Sequence, residues 1–124
     1  MGDKNISPVG WYVGSYLIRF TEIGDGDKNN PEKKFLSWEN TLLVEAKNLK
    51  EAYSKVEVIG REDEDPYKGG IDGVPVQWVY EGITELLPIY EEIKDGAEIM
   101  WGEHNPRKLK NIKARCKVEA DFMQ

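Results

Sequence analysis

The stretch SWENTLLVEAKNLKEAYSKV, residues 37–56, decides the fold. Together with Leu36, its first half places Trp38, Leu42, Val44 and Ala46 on one side of an extended chain, the period of a β-strand. The second half changes period. Leu49, Ala52, Tyr53, Val56 and Ile59 recur at helical spacing until Gly60, and Asn48 with Glu51 three residues on forms a capping-box signature. The spacing therefore predicts a strand running straight into a capped helix over about 49–60, whose apolar stripe folds back onto the sheet.

Upstream, WYVGSYLIRFTE (11–22) puts Tyr12, Tyr16, Ile18 and Phe20 on one face and Trp11, Val13 and Leu17 on the other. Both faces are apolar, so one should meet the core and the other a further element or a second copy of the chain. GDGDKNNPEKK (24–34) is loop by composition and joins the two strands as a hairpin. MGDKNISPVG (1–10) reads as a loose lead-in.

Downstream, REDEDPYKGGIDG (61–73) reads as an exposed loop, and VPVQWVYEGI sets Val74, Val76, Trp78 and Tyr80 on one face of a third strand. Pro88 fits the first turn of a short helix near 87–94, closed by Asp95 and Gly96. AEIMWGEH then reads as a short strand. In a last strand Ile112, Ala114, Cys116, Val118, Ala120 and Phe122 alternate with Lys113, Arg115, Lys117, Glu119 and Asp121. The expected class is α+β: an antiparallel sheet of four to five strands with a main helix at about 49–60 and a short one at about 87–94 packed on it. At 124 residues the chain reads as a single domain, with 103–124 as a C-terminal extension forming a strand.

Charge is unevenly spread. Residues 1–106 carry 11 Lys and Arg against 21 Asp and Glu, a balance of −10, whereas 107–117 (RKLKNIKARCK) carry +6 with no acid and the remainder −2. An acidic field repels phosphate backbones and favours basic partners, so nucleic acid is disfavoured and a protein partner, self or basic, is expected. Cys116 is the single cysteine, and no basic stretch leading into a long apolar run opens the sequence, so a cytoplasmic protein without disulfide or membrane anchor is expected.

Catalytic and metal chemistry find little support. Asp25, Asp27 and Asn29 match the start of a calcium loop, but Asn30 replaces its glycine and Leu36 its bidentate acid. One Cys and one His cannot supply a zinc set. GGIDG (69–73) lacks the Lys-Ser or Lys-Thr of a phosphate loop. Glu103 and His104 are adjacent, so on a strand they point apart rather than to one substrate. On the apolar side of its strand, Cys116 would act as a small hydrophobe. No cofactor and no catalytic residue is predicted.

With these segments in place, WYVGSYLIRF, WENTLLVEAKNLKEAYSKV, DGVPVQWVYEGITEL and DGAEIMW resemble, over about residues 11–101, the bacterial domain-of-unknown-function family numbered 4288. The resemblance implies a small α+β domain and no established activity, hence no catalytic residue to carry over. The tail from Glu103 onward departs from the family's usual length.

The functional expectation is a non-enzymatic interaction module, a homodimer or a partner-binding subunit, with an immunity- or antitoxin-like protein as one version. Its contacts would be the acidic run Glu62, Asp63, Glu64 and Asp65 and the face of Trp11, Val13 and Leu17. One alternative is a small-ligand binder or hydrolase using Glu39, Glu81 or His104. The other is a weak single-strand nucleic-acid binder, with aromatics beside the basic strand face of Lys113, Arg115 and Lys117. That basic row also suits an exposed strand whose lysines discourage edge pairing.

Overall fold

Strand β1 (Trp11–Glu22) is the spine of the fold and pairs antiparallel on both sides. The structure, a computed structural model, describes residues 3–70 and 72–124; the first two residues of the expected lead-in and Ile71 of the expected 61–73 loop lie outside the described residues. With β2 (Ser37–Glu45), β3 (Tyr67–Gly69) and β4 (Val74–Pro88), β1 makes a four-stranded antiparallel sheet in the order β2-β1-β4-β3. Helix α1 (Leu49–Arg61) packs on one face. The class is therefore α+β, as the periodicities predict.

The corner between β2 and α1 forms as its residues dictate. Asn48 is extended, and its Oδ1 accepts the Glu51 N–H at 2.8 Å, satisfying one of the amides a helix start leaves bare. Ala52 and Val56 are fully buried against Tyr12, Tyr16, Val44 and Tyr80, with Leu49, Ile59 and Leu86 around them. α1 comes close because Gly14 of β1 lies beneath it, where a Cβ would stand 2.7 Å from Val56 Cγ2.

Two irregularities shape the sheet. Between β1 and β4 the register shifts at Ser15/Tyr16 and at Leu17/Ile18, and each shift leaves one extra residue on β4, Thr84 and Glu81 respectively. Extra residues of this kind bend and curl a strand. Gly82, with φ of 155°, sits between them.

Several expected elements differ. The helix at 87–94 is absent: Leu87 and Pro88 end β4, and the Ile89 N–H continues the ladder to Trp11 O at 2.9 Å. Because alternate residues of a strand face the same neighbour, Pro88 aims its missing N–H away from β1 and sacrifices no ladder bond. The short helix lies instead at α2 (Leu109–Ala114), followed by a 3-10 turn at Glu119–Phe122. The expected strands at 97–104 and 112–122 are therefore not formed, and residues 98–124 are exposed throughout.

Alternation alone does not make a strand, which needs a second strand to pair with, and this segment pairs with none of the sheet's strands. Asn111 and Ile112 N–H instead reach Lys108 O at 2.9 and 3.1 Å, so the backbone satisfies itself locally. α2 makes no element-to-element contact with sheet or α1. The lead-in, by contrast, is anchored. Ser7 is buried, its Oγ donates to Ile89 O at 2.5 Å, and its N–H is bonded to Tyr12 Oη at 3.0 Å.

Candidate functional site

α1 is too short to cover its face of the sheet. Its 13 residues span about 20 Å, whereas the 15 residues of β4 extend about 50 Å. Beyond Gly60 and Tyr80 the same face carries Phe20, Leu36, Trp38, Val76, Trp78 and Tyr67, brought together by the register Phe20 with Trp78, Ile18 with Trp38 and Tyr67 with Val76.

The aromatics form a connected platform. Trp78 has the Trp38 ring centroid at 4.8 Å and that of Phe20 at 5.3 Å, the latter edge-on. Such pairs contribute roughly 0.5–1.5 kcal/mol beyond burial, which suffices to fix the rings without hiding them. Trp38 remains 54% exposed and Leu36 57%. α1 covers the Val44 end of β2 and ends before reaching Trp38.

Carboxylates rim one side. A shallow cavity of about 360 Å³ is lined by Glu62, Asp63, Asp65, Tyr67 and Trp78. On the other side a cavity of about 460 Å³ runs from Phe20 and Leu36 to Glu22, Asp25, Lys33 and Lys34. Lys33 is ion-paired with Asp25 there, leaving Glu22 beside Lys34, so the net balance around the platform is negative.

The acidic run divides by role. Glu62, Asp63 and Asp65 face the cavity. Glu64 turns inward instead: its Oε2 accepts the Tyr80 N–H at 3.1 Å, its carbonyl accepts Gln77 Nε2 at 2.6 Å, and Arg61 lies 3.6 Å from its carboxylate. It fastens the turn after α1 to the outer edge of β4. Of the second expected contact set, Val13 is 1% exposed and belongs to the interior, while Trp11 and Leu17 are half-buried on the face opposite α1.

That opposite face is polar around the two bulges. The extra residue Glu81 accepts from Arg19 Nε at 2.5 Å, and the extra residue Thr84 donates to Glu39 Oε2 at 2.6 Å. Ser15 and Thr41 hydroxyls meet at 2.7 Å. Arg19 also donates to Lys28 O and stacks on Phe35 at 4.6 Å. Glu39 and Glu81 are thereby occupied by structural partners. His104 is elsewhere, accepting from Arg115 Nη1 through Nδ1 at 3.1 Å and lining a cavity with Asn105, Pro106, Arg107, Ile112 and Arg115. Neither glutamate lines the His104 cavity.

In the 24–34 loop, Asp25 is ion-paired with Lys33 and accepts the Asp27 N–H at 2.8 Å. Among the described residues no group of three or more His, Cys, Asp or Glu is arranged to hold a metal ion, and no helix is long and apolar enough to cross a membrane. Cys116 is an exposed free thiol rather than a core residue. Lys113, Arg115 and Lys117 lie on and just past α2 rather than on a strand face.

Tyr67 and Phe20 were not among the expected site residues. Tyr67 sits in a segment whose Asp, Gly and Pro content reads as loop, and nothing local marks its three-residue pairing with β4. Gly82 inside a strand pattern is the signal that marks the bulges.

Comparison with known proteins gives one result: no curated protein and no solved structure matches the chain, whereas the family model described as Domain of unknown function (DUF4288) matches residues 11–101, from the start of β1 through Trp101, and so the chain belongs to that family.

Proposed function

We propose that this is a protein-interaction domain whose binding surface is the helix-side end of the sheet left uncovered by α1. The observation that carries the reading is Trp38, 54% exposed and packed at a tilt against the Trp78 ring beside an acidic rim. A tryptophan buries roughly 200 Å² when fully enclosed, so covering the exposed half would contribute about 2–3 kcal/mol, the scale of an interface hot spot. The rim sets the chemistry of the partner. Glu62, Asp63 and Asp65 favour a segment that offers Lys or Arg together with apolar side chains.

The test is capture of partners by tagged full-length protein from its own cells. Trp38→Ala is expected to lose a stoichiometric partner that the wild type retains, while Val58→Ser, which alters the exposed apolar surface of α1, retains it. Equal capture by a natively folded Trp38→Ala variant overturns the reading.

A further inference from the structure

Resting on that reading of the Trp38 surface, we infer that the basic C-terminal segment of a second copy of this chain is its occupant, giving a dimer in which two copies exchange tails.

The chain carries both halves of the contact. The body is acidic, −10 over residues 1–106, whereas residues 107–117 carry +6. The tail is amphipathic as well as basic. Leu109 and Ile112 project from α2 at 64% and 49% exposure, and Val118, Phe122 and Met123 beyond it are each about two-thirds exposed or more. A run of large apolar side chains with no covering element is an interface waiting for a surface. α2 contacts neither α1 nor the sheet, so this side of the chain is free to engage another molecule.

Opposite it stand a platform that is aromatic where the tail is aliphatic and a rim that is anionic where the tail is cationic. Lys110, Lys113 and Lys117 complement Glu62, Asp63 and Asp65, and Leu109 and Ile112 complement Trp38 and Trp78. Reciprocal exchange also closes the assembly. Once one tail is docked, the second contact becomes intramolecular, so two modest contacts yield a discrete dimer rather than an open chain.

Sedimentation equilibrium on the full chain, with two charge-reversed variants, tests this. One variant carries Lys110→Glu, Lys113→Glu and Lys117→Glu; the other carries Glu62→Lys, Asp63→Lys and Asp65→Lys, with Glu64 kept because it holds Tyr80. All the altered residues are on the surface, and circular dichroism checks the fold. Wild type is expected to pass from monomer to dimer, weakening as salt rises. Each variant alone should associate at least about tenfold more weakly. An equimolar mixture should recover a heterodimer, because the unaltered basic tail of the rim variant meets the unaltered acidic rim of the tail variant, and the other tail, neutral over 107–117, is no longer repelled by the reversed rim.

A wild type that stays monomeric into the high micromolar range overturns the inference. So does a dimer that survives both reversals, or a tail that docks on its own body, seen as Trp38 quenching that is independent of concentration. The surface reading fails separately: a monomeric protein that still captures a foreign partner through Trp38 removes the exchanged tail and leaves the interaction domain standing.

Discussion

Gly60 of α1 faces the Tyr80 ring of β4 with no room for a side chain between them: a Cβ at Gly60 would stand 2.6 Å from Tyr80 Cε2 and 3.3 Å from Tyr16 Cδ2. The Tyr80 ring also carries the Arg61 guanidinium 4.6 Å from its centroid, so it is held on more than one side. The helix meets the sheet at van der Waals distance because this residue has no side chain.

Two effects compete in Gly60→Ala. Within a helix the change gains roughly 1 kcal/mol from propensity, whereas overpacking a fixed aromatic costs about 1–3 kcal/mol. The clash is with ring carbons buried in the core, so the cost wins. A lower urea midpoint is expected, by a net loss of up to about 2 kcal/mol; an unchanged or higher midpoint would mean that Tyr80 yields.

Tyr80→Phe is expected to act in the opposite direction. Among the described residues Tyr80 Oη is a buried polar atom without a hydrogen-bond partner, and burial, with Glu57 nearby, raises its pKa above the ordinary tyrosine value. An unmatched hydroxyl costs about 1–3 kcal/mol to bury, so removing it should leave stability equal or higher by up to about 1 kcal/mol. The pH dependence has a definite sign. A raised pKa in the folded protein gives stability that is complete below the unfolded value and lost as pH rises through the folded one, and Phe removes that alkaline loss. Thermal melts of both proteins from neutral to alkaline pH check this, and a clear destabilisation at neutral pH refutes it.

What was legible in the sequence follows from how local each cause is. Asn48 and Glu51 announce α1 because a cap is made by neighbours in the chain, and the alternation of Tyr12 to Phe20 and of Trp38 to Ala46 is enough to pair β1 with β2. Non-local causes stayed hidden. The period-two pattern of Ile112 to Phe122 is as clean as that of β1, but strand formation needs a partner edge, and no residue in the tail encodes one. Gly60 reads as a helix stop, yet the helix runs on to Arg61 and the glycine serves contact with Tyr80. The exposure of Trp38 depends on where α1 ends relative to β2, a distance that neither segment specifies alone. The platform's members were visible as strand aromatics, but not their assembly at an uncovered end.

Glu64 and its neighbours provide a test of that kind of hidden role. Four consecutive acids look equivalent, but only Glu64 accepts a backbone N–H from β4, that of Tyr80. A hydrogen bond to a charged group contributes about 1.5–3 kcal/mol when well enclosed, and partial exposure here reduces that to about 1 kcal/mol. Glu64→Ala should lower stability by that amount and speed amide exchange at Tyr80, while Glu62→Ala and Asp63→Ala should stay within about 0.5 kcal/mol of wild type. Equal effects at all three positions would dissolve the distinction.

The Asp25–Lys33 ion pair closes the loop between β1 and β2. The Lys33 ammonium, and then the Asp27 N–H, hold the Asp25 carboxyl below its ordinary pKa, while the Asp25 carboxylate raises that of Lys33. For Asp25 the lowered value means that its contribution is present above the unfolded pKa and disappears as pH falls through the folded one. For Lys33 the raised value means a contribution complete below the unfolded pKa and lost as pH rises through the folded one. The loop is therefore tied across the neutral range and released at both extremes, and because both groups are at the surface, salt should weaken the tie. In an NMR titration the Asp25 carboxyl should titrate lower than an unperturbed aspartate. Lys33→Gln should bring it only part of the way back, since Asp27 still donates its N–H. An Asp25 that titrates identically in wild type and Lys33→Gln would show that the ammonium does not hold it.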